Sequence, residues 1–197
     1  MKRILLAFTV ASACVALAGC TGDTPASPPP PTVTVTTSPT LPSADPQLVS
    51  WLDGFCGAVH GYRQRSNAYM TGKPATQTLS LGEAQLDTSK DLGQFADNAG
   101  KVVDEVKALP TVSDPQTETA KKSVIDKFTA ARDRAAQAKA KVDAAKRGNE
   151  KALTEATDAL TAVQQDVGDL YDPLKPFSET EKYVFAAANA PKCRPAS

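Results

Sequence analysis

The sequence predicts an all-α protein, an antiparallel up-down four-helix bundle followed by a short C-terminal helix. Three observations predict it. Apolar side chains recur in four separate stretches at alternating steps of three and four residues. Each stretch opens on a capping residue and closes on proline or glycine. Only 6% of residues are aromatic while alanine is abundant, a composition that suits closely spaced helices.

The first helix begins at Asp45-Pro46, an N-cap with proline at the first helical position. Its seam runs Leu48, Leu52, Phe55, Val59, Tyr62, Ser66, Tyr69, and Thr71-Gly72-Lys73-Pro74 ends it. A capping box, Ser80 with Glu83, starts the second helix. Its stripe is Leu92, Phe95, Ala99, Val102, Val106, Leu109, stopped by Pro110; the half around Thr88 and Lys90 is poorly apolar. The third helix is expected from a box of Ser113 with Gln116. It carries Val124, Phe128, Ala131, Ala135, Ala138, Val142 and Ala145 up to Gly148-Asn149. Asn149 caps the fourth, with Leu153, Ala156, Leu160, Val163, Val167 and Leu170, broken by Pro173 and Pro176. A short last helix follows a box of Ser178 with Glu181 and stops before Pro191. A single long coiled coil is the competing architecture, but Pro110, Gly148 and Pro173 sit where a chain reverses.

The N-terminus has a different grammar. Lys2 and Arg3 precede an apolar run from Ile4 to Leu17, interrupted by Thr9 and Ser12. The run is shorter than the roughly 20 apolar residues of a spanning helix and reads as a secretory leader. Leu17-Ala18-Gly19-Cys20 follows. This tetrapeptide resembles the lipobox of bacterial lipoproteins. The resemblance implies cleavage after Gly19, a diacylglyceryl thioether on Cys20 and frequent N-acylation. It places the protein outside the cytoplasm, anchored to the cell membrane by lipid. The competing reading is an ordinary leader with a chance cysteine. Two acyl chains hold a protein to a bilayer stably where one does not. Losing residues 1–19 removes Lys2 and Arg3 from 22 basic and 22 acidic residues. The mature chain is then slightly acidic, with none of the basic concentration that nucleic acid requires.

Residues 20–45 comprise the lipidated N-terminus and a Pro/Thr/Ser-rich linker expected to be disordered. Pro25 to Pro31 holds five prolines, and Pro39 and Pro42 follow a Thr/Val alternation in which Val33 and Val35 mimic a strand. As a partly extended spacer it reaches on the order of 50–75 Å at about 3.1 Å per residue. Its Thr/Ser/Pro density also resembles O-glycosylated stalks. Residues 46–197 are one helical domain. The Ala/Thr-rich composition, lipobox and tether resemble the small envelope lipoproteins of actinobacteria; the resemblance covers residues 1–45 and names no family for the helical domain.

Four cysteines then divide. Cys14 leaves with the leader and Cys20 takes the lipid. Cys56 and Cys193 remain, in a compartment where disulfides persist. They are expected to pair, tying the first helix to the C-terminal tail; a free thiol pair is the alternative.

Signals for chemistry are few. His60 is the sole histidine. There is no Glu-x-x-His pair for a di-metal centre, no GxSxG elbow and no phosphate loop. Carboxylates such as Asp104, Glu105, Glu155 and Asp158 alternate with lysines, the pattern of a solvated helix face. No catalytic residue, metal or cofactor is expected. The first helix is unusual in holding Gly54, Gly57 and Gly61, each costing about 1 kcal/mol relative to alanine. Gly54, Ala58 and Gly61 share one flank. This flank suits either close packing against a neighbour or a shallow groove edged by Trp51, His60 and Tyr62. Tryptophan is enriched at binding hot spots and is equally a core anchor.

The sequence therefore predicts a lipid-anchored envelope protein that is not an enzyme. Its domain is expected to bind another envelope protein or a cell-wall polymer. A small-ligand or lipid carrier with a cavity between helices is the alternative.

Overall fold

The structure, a computed structural model, describes residues 44–73 and 79–194. The leader, the lipobox with Cys20 and the linker through residue 43 lie outside the described residues. Among the described residues there are five α-helices, two 3-10 turns and no strand. The helices are α1 (Pro46–Thr71), α2 (Leu81–Lys107), α3 (Pro115–Ala144), α4 (Glu150–Gly168) and α5 (Glu181–Ala188). The turns are Lys175–Phe177 and Pro191–Cys193.

Local chemistry sets the boundaries. Asp45 caps α1 by accepting from the Gln47 N–H at 2.9 Å. Ser80 and Glu83 form the expected reciprocal box at the start of α2. Asn149 caps α4 through the Ala152 N–H at 3.0 Å. Two caps differ from expectation. Asp114, not Ser113, caps α3, because its carboxylate reaches the N–H groups of both Gln116 (2.9 Å) and Thr117 (3.3 Å). Thr180 precedes α5, while Ser178 donates to the Lys175 carbonyl at 3.1 Å and closes a 3-10 turn instead. Gly148 has a φ of 77°, the left-handed conformation that a side chain disfavours, and turns the chain from α3 to α4.

The helices pack as a bundle. Contacts are most extensive between α2 and α3, and α4 lies against both. On its other side, α2 meets α1, which is covered in turn by α5 and the Pro191–Cys193 turn. Ala99, Ala131 and Ala135 are fully buried, so the central helices approach closely. Two aromatic groups fill the larger spaces. At one end Trp51 stacks on Phe55 with centroids 4.8 Å apart. Phe177 meets both edge-on at 6.0 Å and lies 4.8 Å from Tyr183. Farther along, Tyr62 meets Phe128 at 5.2 Å and Phe95 at 6.1 Å. Each fully buried large apolar side chain contributes about 1.5–3 kcal/mol.

The poorly apolar half of α2 has a specific explanation. Its seam continues through buried Gln85 and Ser89. The Gln85 amide donates to the Val142 carbonyl at 2.9 Å, and its oxygen accepts from the Gly148 N–H at 2.8 Å. One side chain thereby satisfies the end of α3 and the turn that leads into α4. Ser89 donates to Asp143, which Lys139 also contacts. Beyond α1, Lys73 pairs with Asp87 (2.8 Å) and Asp91 (2.7 Å), and Tyr69 donates to Asp91 at 2.8 Å.

Candidate functional site

α1 presents three strips. The first, from Leu48 to Tyr62, enters the core. The second holds Asp53, then Cys56 and Gly57, then His60, on successive turns of the helix. This strip grips the C-terminal turn. Cys56 and Cys193 form a disulfide, 137 residues apart in sequence. Asp53 Oδ1 accepts from the Lys192 N–H at 2.8 Å. His60 Nδ1 lies 2.8 Å from the Lys192 carbonyl oxygen. A carbonyl only accepts, so Nδ1 carries the proton and donates. Both backbone groups of Lys192 are therefore held by side chains of α1. Gly57 lies beneath it, and a Cβ there would come within 2.8 Å of Lys192 Cδ, so the lysine side chain would have to shift.

The third strip borders a groove of about 1380 Å³. Gly54, Ala58 and Gly61 line it, as the shared flank allowed. The opposite sides come from Glu105 and Leu109 near the end of α2, Tyr171 to Leu174 after α4, and Lys192 to Arg194. Close packing operates here too: a Cβ at Gly54 would sit 2.5 Å from Leu109 Cδ2. The groove is half-open to solvent, and apolar and polar groups share its walls.

Of the expected edge residues, His60 lines the groove and two do not. Trp51 is fully buried among aromatic rings, and Tyr62 is 2% exposed. Trp51 is a core anchor rather than an edge, and its indole N–H has no acceptor among the described residues. Tyr62 lies behind Tyr171, with ring centroids 6.1 Å apart. Burial, reinforced by Tyr171, holds the Tyr62 hydroxyl well above the usual phenol range.

Apart from His60, the polar wall was not anticipated. His60, Arg63, Gln64 and Asn67 follow one another along α1 at helical spacing and all line the groove. The Arg63 guanidinium lies over the Tyr171 ring, 5.9 Å from its centroid. Glu105 is already engaged, 3.2 Å from Arg65 Nη1. Asp172 accepts from the Leu174 N–H at 3.0 Å. The spacing of the α1 residues was visible in the sequence; the contributions of Tyr171, Lys192 and Arg194 depend on the fold.

Among the described residues no group of three or more His, Cys, Asp or Glu side chains is placed to hold a metal ion. None of the described helices is long and apolar enough to cross a membrane. The groove is lined by cations, amides, two carboxylates and apolar side chains. In comparisons with known proteins the chain matches no family model, no curated protein and no solved structure.

Proposed function

We propose that the chain is a lipid-anchored cell-envelope lipoprotein whose helical domain is a non-enzymatic binding module, with the α1 groove as its binding surface. The groove carries this reading: it is large and open, and it is lined by groups suited to recognition. The leader and Leu17-Ala18-Gly19-Cys20 support the anchor. The Cys56–Cys193 disulfide suits an oxidising compartment outside the cytoplasm.

We read the helices as an up-down antiparallel four-helix bundle. Gly54, early in α1, lies against Leu109, just past α2. Gln85, early in α2, bonds to Val142 near the end of α3. Short connections join the helices, as such a bundle requires.

The groove also supports a second reading, a carrier for a small ligand or lipid, since at about 1380 Å³ it exceeds the roughly 300 Å³ that a small-molecule site needs. Its openness favours the binding module.

A photo-crosslinking residue at Gln64 tests the surface in intact cells, with Glu155 on the exposed side of α4 as the control. Adducts specific to Gln64 are expected; equal labelling from both positions would sink the groove reading. Cys20→Ala is expected to release the protein from membranes, and continued firm attachment would refute the anchor.

A further inference from the structure

The charges around the groove are unequally satisfied. Of its two carboxylates, Glu105 pairs with Arg65, while Asp172 accepts the Leu174 N–H and keeps its charge. Arg63 has no carboxylate within ion-pair distance among the described residues; it faces only the Tyr171 ring. Arg194 lines the same space, and one of its nitrogens donates to the Ala188 carbonyl at 3.0 Å. A guanidinium presents up to five N–H donors in a planar fork, so both arginines keep donors to offer. Gln64 and Asn67 add amides one turn along α1 from His60 and Arg63. Opposite, Leu109, Pro173 and Leu174 provide an apolar surface.

The position of Arg194 is enforced. It follows directly on Lys192 and Cys193, which α1 holds through the disulfide and the Asp53 and His60 hydrogen bonds. The backbone that carries Arg194 is thereby held at the groove that Arg63 also lines.

We propose that the groove recognises a phosphate group, received by Arg63 and Arg194, with any apolar portion of the ligand lying along Leu109, Pro173 and Leu174. Guanidinium forks match phosphate oxygens in bidentate geometry, and a phosphate monoester carries nearly two negative charges at neutral pH. The source is either a free phosphate or the head group of an amphiphile. This inference rests on the groove being the binding surface.

The test uses the full mature chain, residues 20–197, with Cys20→Ser so that no attached lipid competes. Dodecyl phosphate, inorganic phosphate and dodecyl maltoside, each below any micellar concentration, are titrated while the Gly57 and Gly61 amide resonances are followed. Saturable shifts with dodecyl phosphate are expected. Affinity should fall about tenfold or more in the Arg63→Gln/Arg194→Gln variant, whose folding is checked by circular dichroism. Inorganic phosphate binding as tightly supports the proposal and assigns the site to the free anion. Much weaker inorganic phosphate binding also supports it and assigns the site to an amphiphile head group. Equal binding of dodecyl maltoside, or indifference to the double variant, overturns phosphate recognition and leaves the groove reading intact. No shift with any probe overturns phosphate recognition as well, and the Gln64 crosslink then decides the groove reading by itself.

Discussion

The imidazole of His60 donates through Nδ1 to the carbonyl of Lys192, a residue 132 positions later in the chain. The sole histidine thus works as a fastening for the C-terminal turn. His60→Ala is expected to lower stability by about 0.5–1.5 kcal/mol, the worth of one hydrogen bond. Amide exchange should accelerate locally at Lys192 to Arg194. Uniform acceleration across α2 and α3 instead would show that His60 supports more than this turn.

The disulfide is the stronger fastening. For a separation of 137 residues, the chain-entropy treatment gives about 4–5 kcal/mol, less any native strain. The paired variant Cys56→Ser/Cys193→Ser should lose about 2–5 kcal/mol in urea unfolding. Intact mass with and without reductant should report one bridge in the native chain.

Asp114 joins two elements, because it caps α3 while Lys182 and the Tyr183 hydroxyl of α5 donate to it. Burial alone would raise its carboxyl. The hydrogen bonds from Lys182, Tyr183 and the Gln116 and Thr117 amides prevail and bring it down to about 2. A carboxylate depressed in this way stabilises the fold above its unfolded value of about 3.9. That contribution fades as pH falls from about 4 toward 2. Asp114→Ala should cost about 1–3 kcal/mol at pH 7. Unfolding curves for the variant and the native chain should converge near pH 2, and a gap unchanged at that pH would rule out this linkage.

Gln85→Leu keeps the approximate size of the side chain and removes its hydrogen bonds. The Val142 carbonyl and Gly148 N–H then lose their partner. A loss of about 2–4 kcal/mol is expected from urea denaturation, since each unsatisfied buried group costs about 1–3 kcal/mol. A neutral result would mean that water replaces the amide at the α3–α4 turn.

The helical content was legible because apolar periodicity and caps are local signals. Asp45, Ser80 and Asn149 reveal themselves within four residues of chain. The Ser113 and Ser178 boxes misled for a related reason: each has a competing neighbour, Asp114 or Thr180, and tertiary partners settle the outcome for Asp114. Gln85 was illegible because a polar residue on a seam resembles a gap until the helix end it serves is known. The glycine flank of α1 pointed toward the groove, but Trp51 did not belong there. A large ring beside small residues fits an edge and a core equally well, and Phe177, 126 positions later, decides between them. Arg194 had no local signature at all, since its place depends on Cys193.

The aromatic group around Trp51 also fixes an order of events. Trp51 and Phe55 lie near the start of the domain, while Phe177 and Tyr183 lie near its end. A chain made N-terminus first forms α1 with Trp51 and Phe55 stacked only on each other and Cys56 without its mate. Among the described residues the partners of that face, Phe177, Tyr183 and Cys193, come last, so closure of this end waits for the final stretch of chain. Until then the apolar face of α1 stays open, and a chain that stops short of Cys193 cannot form the bridge that shuts it.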